Sequence, residues 1–369
     1  MCVSPLLPSI QTLTLPRGKH NEVPEEDVFA SVDIGRMEPG RVASVLENYF
    51  YNPRSITRAT REFTARADDV IVACNPSTGD LLLLRLVQML NALKDENEFN
   101  QVMRDAEHVG TPWIESKFVD GNPEILNADQ PLGYHRVFKT HMAAQGLNTS
   151  RKGAPLYVTC ARHPVDVRVS WFDYLKRCHE LGASSGKLKF IDRYKLDDFV
   201  DCTATTAQIN PLAKILTLEH IMLDWFAESQ RNRRVFQVFY ENLITEPRSV
   251  ISELGTFMSI PPSALTQAKL ELIAKKILEE VPKWDPHTSA DNGEKFTYAS
   301  SIRMRDAWNR ALESSMTAKG QRGNGTYEQF YTTATGLPFP YPKTYAKKPP
   351  GKGPLDKVGR DLAEKCVLC

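Results

Sequence analysis

Short, nearly continuous apolar runs alternate along this chain with longer stretches in which apolar residues recur every three or four positions. The runs V-I-V-A-C (70 to 74), R-V-F-K-T (136 to 140), L-Y-V-T-C (156 to 160) and V-F-Q-V-F-Y, ending at Tyr240, predict strands. Between them lie predicted helices. One runs from Asp80 to about Leu93 and is apolar on nearly all sides, hence deeply buried. A second starts at Pro164, a residue suited to a first helical position, and sets Val167, Trp171, Tyr174, Leu175 and Cys178 on one face. A third, from Pro211 to about Glu228, would bury Leu212, Ile215, Leu218, Met222 and Trp225. A fourth, from about Ser263 to Val281, uses Leu270, Ile273, Ile277 and Val281. Residues 41–68 predict one or two helices, and 95–129 a helix with loops. Strands that alternate with helices predict an α/β domain with a mainly parallel central β-sheet flanked by helices.

Composition narrows the class. With 369 residues the chain could hold one large α/β domain or two small ones, and a net charge of +1 gives no case for binding nucleic acid. The seven cysteines show no paired metal spacing and two fall in core strands, which predicts reduced thiols in a cytoplasmic compartment. No apolar run approaches the roughly 18 residues of a membrane span. The proline-broken N-terminus does not have the profile of a signal peptide. Residues 1–40 predict a loosely ordered extension, 41–342 the α/β domain, and 343–369 a basic flexible tail.

The chemistry gathers where predicted strands end. Arg162 stands just beyond one strand and Ser170 lies in the early turns of the next helix. In α/β sheets that crevice is where ligands bind, and an arginine fork with a hydroxyl suits a phosphate. A surface arginine and a solvent-facing serine are the plainer alternative. Asn75, Pro76, Ser77, Thr78, Gly79 and Asp80 form a turn between a buried strand and a buried helix, a setting in which backbone N–H groups cradle anions. His141 follows a third strand, two residues after Lys139. G-A-S-S-G-K (182 to 187) is one residue short of a Walker A loop and has no buried strand before it.

The segment A-R-H-P-V-D-V-R-V-S-W-F-D-Y resembles the 3′-phosphate-binding segment of the soluble sulfotransferases that use PAPS (3′-phosphoadenosine 5′-phosphosulfate), which reads roughly A-R-N-P-x-D-x-x-V-S-Y-Y-x-F. The family's arginine and serine fall on Arg162 and Ser170. K-T-H at 139 to 141 resembles P-R-x-x-K-T-H-L-P, where histidine is the catalytic base and lysine lies near the sulfuryl group. Y-E-N-L-I-T-E-P resembles Y-E-D-L-x-x-D-P, whose tyrosine, here Tyr240, reaches adenine. The loop at 75 to 82 departs from the family's Y-P-K-S-G-T-T-W. Pro76 and Gly79 match, Thr78 replaces serine, Ser77 stands for lysine, Asp80 and Leu81 for two threonines, and Leu82 for tryptophan. Thr288 corresponds to a threonine that contacts adenine. Arg303 and Arg305, with Trp308, replace the arginine–lysine pair and tryptophan of R-K-G-x-x-G-D-W, without its glycines.

The resemblance runs from about residue 64 to 341. It implies a single domain of nucleotide-kinase-like architecture, PAPS as co-substrate, no metal, and sulfuryl transfer to a hydroxyl or amine of a small-molecule acceptor. His141 would be the base and Lys139 would offset charge on the moving group. The loop departures leave open a catalytically weakened PAP/PAPS-binding scaffold, PAP being the desulfated product. The tail has seven basic and three acidic residues between 343 and 365 and ends C-V-L-C. Cys366 beside a polybasic stretch suits a prenylation signal and peripheral membrane contact, against a free tail.

Overall fold

The computed structural model describes residues 53–104, 111–119, 122–130, 133–147, 149–180, 191, 195–199, 208–209, 215–216, 218–281, 297–316 and 326–340. The proposed roles of Thr288 and Cys366, the N-terminal extension and the basic tail lie outside the described residues.

Four parallel strands form the central sheet: β1 (Val70–Ala73), β2 (Val137–Thr140), β3 (Leu156–Ala161) and, later in the chain, β6 (Val235–Phe239). Their order across the sheet is β2-β1-β3-β6. Val70 pairs with Val137 on one side and with Leu156 on the other, and Tyr157 pairs with Val235. All four residues of β1 are buried. That is the physical reason the strand reads as a continuous apolar run rather than as an alternation. A separate antiparallel pair joins β4 (Gln208–Ile209) to β5 (Ile215–Leu216).

The helices are α1 (Pro53–Glu62), α2 (Asp80–Asn91), α3 (Glu96–Arg104), α4 (Ile114–Val119), α5 (Pro164–Glu180) and α6 (Leu218–Ser229). After β6 come α7 (Tyr240–Thr245), α8 (Pro247–Phe257), α9 (Gln267–Glu280), α10 (Tyr298–Met316) and α11 (Tyr327–Thr335). Alternate residues of β1 serve opposite faces of the sheet. Val70 and Val72 pack with Leu83, Leu86 and Leu90 of α2, Leu254 of α8 and Ile273 of α9. Ile71 and Ala73 pack with Ile56 of α1, Ile114 and Phe118 of α4, and Trp225 of α6. Near the C-terminal ends of β3 and β6, Ala161 and Phe239 meet Trp308 of α10 and Tyr327 and Phe330 of α11.

Three expectations change in detail. The helix expected from Pro211 starts at Leu218, because Ile215 and Leu216 pair with Ile209 and Gln208. Tyr240 opens α7 instead of closing a strand. In α5 burial extends all round the first turns, so that Asp166, Arg168 and Ser170 are buried along with the apolar face. Arg168 answers this by an ion pair of 2.6 Å with Glu219 of α6, both side chains fully buried. Breaking such a pair by removing one partner costs about 3–5 kcal/mol, because the other charge is left uncompensated. The pair thereby fixes α5, and with it the end of β3, against α6.

Candidate active site

The C-terminal ends of β1, β2 and β3 lie side by side in the parallel sheet. The chain leaves β1 through Cys74 and folds into the loop 75–79, which is braced from within. The Thr78 hydroxyl donates to the Asn75 carbonyl at 2.7 Å, and the Asn75 amide donates to the Leu218 carbonyl at 3.0 Å. Two loop residues have positive φ, Ser77 at 63° and Gly79 at 96°. Glycine at 79 serves a second purpose. A Cβ there would stand 2.6 Å from Cδ2 of Tyr240, so only a residue without one lets the loop lie on that ring.

Asp80, first residue of α2, occupies the position at which a helix N-terminus favours negative charge. Its Oδ1 accepts the Ser77 N–H at 3.1 Å, and its Oδ2 meets Lys139 Nζ at 2.9 Å. Burial works to raise this carboxyl, but the charge of Lys139 and the hydrogen bonds from Lys139 and Ser77 outweigh it and hold the group below the usual carboxylate range. The chain's own carboxylate thus stays ionised inside the loop.

His141 follows β2 directly and is 2% exposed. Its Nδ1 is hydrogen-bonded to the Cys74 carbonyl. A carbonyl can only accept, so Nδ1 carries the proton and Nε2 carries the lone pair. Burial, with Lys139 adding its charge, pushes the imidazole down to about 3, against the opposing influence of Asp80 and the Cys74 bond. The ring is therefore a neutral base across the physiological range. The Trp113 ring packs edge-on to it at 5.0 Å, and Lys139 Nζ lies 5.5 Å from the centre of the same indole.

Arg162 leaves β3 on the other side of the loop and is 1% exposed. Its Nη1 donates to the Ser77 carbonyl at 3.1 Å, and its guanidinium lies 4.1 Å from the centre of the Tyr240 ring. Contacts therefore link the loop, Asp80, Lys139, His141, Arg162 and Tyr240 into one cluster. Ser170 is buried on α5, which begins two residues after Arg162. On α10, Met304 packs on Val165 and Val169 of α5. Arg303 beside it is half-buried and Arg305 is exposed, as residues two apart on a helix must face different ways.

Trp113, Glu115 and Glu241 also belong to this region, and no pattern in the sequence gives them a role. The first two lie in a stretch of mixed polarity, and only the apolar trio Pro112, Trp113 and Ile114 hints at burial there. Glu241 is buried behind Arg162. Its Oε1 accepts the His163 N–H at 2.9 Å and its Oε2 accepts the Tyr327 hydroxyl at 3.2 Å. Burial raises its carboxyl to about 7, opposed by backbone hydrogen bonds from Glu241 and His163. An unfolded glutamate titrates near 4.5. The folded state therefore holds a proton that the unfolded state has lost between those values, and this contribution to stability, whole below about 4.5, is lost as pH rises through about 7. Glu241→Gln keeps the shape and the acceptor oxygen without titrating. Melting curves of this variant should decline less steeply between pH 5 and 7 than those of the wild type.

The strand ends of the parallel sheet thus carry a loop that leads into a buried helix, a buried arginine, and a neutral histidine two residues from a lysine. The family model described as "Sulfotransferase domain" matches residues 67–322, and the chain belongs to the sulfotransferase family. Cytosolic sulfotransferase 7 of Arabidopsis thaliana is 25% identical over 207 residues, covering 54% of this chain and 59% of that relative. Sulfotransferase 1E1 of Mus musculus is 24% identical over 207 residues, covering 55% of this chain and 62% of the relative. The matched part thus spans about three fifths of these relatives. Among solved structures, mouse sulfotransferase SULT7A1 complexed with PAP is similar over 71% of this chain and 89% of that one, with TM-score 0.50 and 14% identity. Among the described residues no helix is long and apolar enough to cross a membrane.

Proposed function

We propose that the protein transfers a sulfuryl group from PAPS to a hydroxyl or amine of a small-molecule acceptor, with His141 as general base, in the cytoplasm. The observation that supports this most is the state of His141, a neutral ring with Nε2 as its basic nitrogen, two residues from Lys139 at the strand end. Family membership supports sulfuryl transfer in general. PAP in the solved mouse relative supports the choice of nucleotide.

The residues fit the nucleotide unevenly. Arg162 and Ser170, buried polar groups at the end of β3 and in α5, suit the 3′-phosphate. Arg303 would add to that side, with Arg305 next to it on α10. Tyr240 and the loop residues Asn75 to Gly79 would form the floor, and Thr288 would complete the adenine contacts. At the loop itself Asp80 already takes the Ser77 N–H and the Lys139 ammonium, both of which an incoming anion would need.

When bound, PAPS supplies the activated sulfuryl group and the PAP leaving group. His141 Nε2 takes the acceptor's proton as the acceptor attacks sulfur, a contribution of about 10²- to 10⁴-fold. Lys139 turns from Asp80 toward the reacting group and offsets its charge. Arg162 and Ser170 hold a part of the nucleotide remote from the reacting bond, so their binding energy serves to orient it.

A second reading has one specific observation in its favour. If the Asp80–Lys139 pair does not open, the protein binds PAP and transfers nothing. Calorimetry and melting curves with PAP test the nucleotide assignment common to both readings. PAP at 100 times its dissociation constant should stabilise the fold by about 2.7 kcal/mol. Arg162→Ala should weaken PAP by about tenfold to a hundredfold, the worth of one charge-assisted hydrogen bond. Absence of any shift with well-folded wild-type protein would remove the nucleotide from the account.

A further inference from the structure

Among the described residues β2 lies at the edge of the sheet, and the backbone N–H groups on its outer side face no further strand. Buried, they need partners from elsewhere. Three successive outward groups find them in different ways. The Val137 N–H is taken by the Gln130 side chain at 2.8 Å, and the Lys139 N–H by the Pro112 carbonyl at 2.9 Å. For two residues the segment at Pro112 and Trp113 runs beside β2 like the start of a fifth strand, with Trp113 bridged in parallel to Lys139. Continued as a strand, it would offer its next carbonyl to His141. Instead the chain turns into α4 at Ile114. The missing acceptor is supplied by a side chain: Glu115 Oε1 accepts the His141 N–H at 2.7 Å.

We propose that Glu115, in the first turn of α4, is a positioning residue that holds His141 by its backbone amide and so keeps the ring on its Nδ1–H bond to the Cys74 carbonyl. This deepens the reading of His141 as the base and rests on it. The two bonds fix the residue at both ends, one at the amide and one at the ring. The Trp113 edge closes the ring's flank. Glu115 itself is 2% exposed and touches no atom that the reaction rearranges in the mechanism above. Its carboxyl is raised by burial and steadied by the amides of Glu115 and His141. Among the described residues, the charged groups that act on the His141 ring are Lys139 and Asp80. With the amide released, the end of β2 can shift, the ring can leave the Cys74 carbonyl, and water can reach it. A displacement of about 1 Å in a catalytic group can cost about a hundredfold in rate.

The test compares Glu115→Gln, which keeps an acceptor oxygen, with Glu115→Met, which has similar length and none. The first readout needs no acceptor. Long-range proton–nitrogen NMR of the histidine rings, with His141 identified by its absence in His141→Ala, reports tautomer and titration. Wild type and Glu115→Gln should show the Nδ1–H tautomer with no titration between pH 5 and 8. Glu115→Met should show mixed tautomers and a midpoint inside that window. In parallel, with labelled PAPS and 2-naphthol as the probe acceptor, Glu115→Met should lose about tenfold to a hundredfold in kcat. Its PAP affinity should stay within about twofold of wild type, because the amide contact is remote from the Arg162 side. Should Glu115→Met not fold, Glu115→Ala takes its place. A wild-type His141 spectrum in the variant without an acceptor oxygen would overturn the proposal. So would a Glu115→Gln protein as damaged as Glu115→Met. A His141→Ala protein with full turnover would instead defeat the base assignment, while the NMR comparison would still judge whether Glu115 holds the ring.

Discussion

Replacing His141 by alanine should abolish transfer and leave PAP affinity at its wild-type value. The asymmetry follows from where the ring acts. Nε2 takes a proton from the acceptor, and the contacts proposed for the nucleotide come from the other side of the loop, from Arg162 and α5. A general base contributes about 10² to 10⁴ in rate, so the loss is large and easily separated from the baseline. The ring's protonation adds a second expectation. Only the neutral form can act, and burial beside Lys139 pushes its titration down to about 3. The wild-type rate should therefore show no acid limb from this residue between pH 5 and 8. Steady-state rates across that range, with PAP calorimetry on the variant, check both points. Full turnover by the alanine protein would take the histidine out of the mechanism.

The double change Ser77→Lys with Asp80→Thr should tighten PAPS binding and speed transfer. Asp80 now plays the part of a resident anion, bonded to the Ser77 amide and paired with Lys139. Its removal frees both groups for the sulfuryl end of the nucleotide, and the new lysine adds a cation. Two like charges 4 Å apart repel by about 4 kcal/mol at an effective dielectric of 20, which bounds what Asp80 can cost a bound anion. Part of that is recovered when Lys139 is released, so a gain in PAPS affinity on the order of tenfold is the expected net effect. The gain should be greatest at low salt, where screening is weakest. PAP should respond less, because it lacks the group that faces the lysine. The measurement is PAPS and PAP affinity at two ionic strengths with turnover alongside. A drop in turnover with wild-type PAP binding would show instead that the loop is adapted to its aspartate.

The parts of the molecule legible in the sequence are those in which local pattern and tertiary role coincide. The four central strands stand out because a parallel sheet is covered on both faces, which makes each a short apolar run. Arg162 and His141 could be placed at strand ends because each closely follows a short apolar run, and the family motifs supplied their expected roles. What was hidden depends on partners distant in sequence. Ile215 and Leu216 satisfy a helical spacing as well as a strand, and only their pairing with residues 208 and 209 decides between them. In the sequence Asp80 stands out only as a replacement for the family's threonine. Its bond to Lys139, from the neighbouring strand, shows the charge neutralised in place. Glu115 left no trace, and Glu241 showed only as one residue of Y-E-N-L-I-T-E-P, since an acidic residue in a polar or amphipathic stretch looks solvated until an edge strand or an aromatic cluster closes over it.

Transfer from PAPS by way of His141 can be tested by incubating the protein with PAPS labelled in the sulfuryl group and a panel of phenols, alcohols, amines and sugars. Label should appear on at least one acceptor with the wild type and on none with His141→Ala. Label that stays on the nucleotide throughout, with PAP bound and the protein folded, would contradict the claim and leave a nucleotide-binding scaffold.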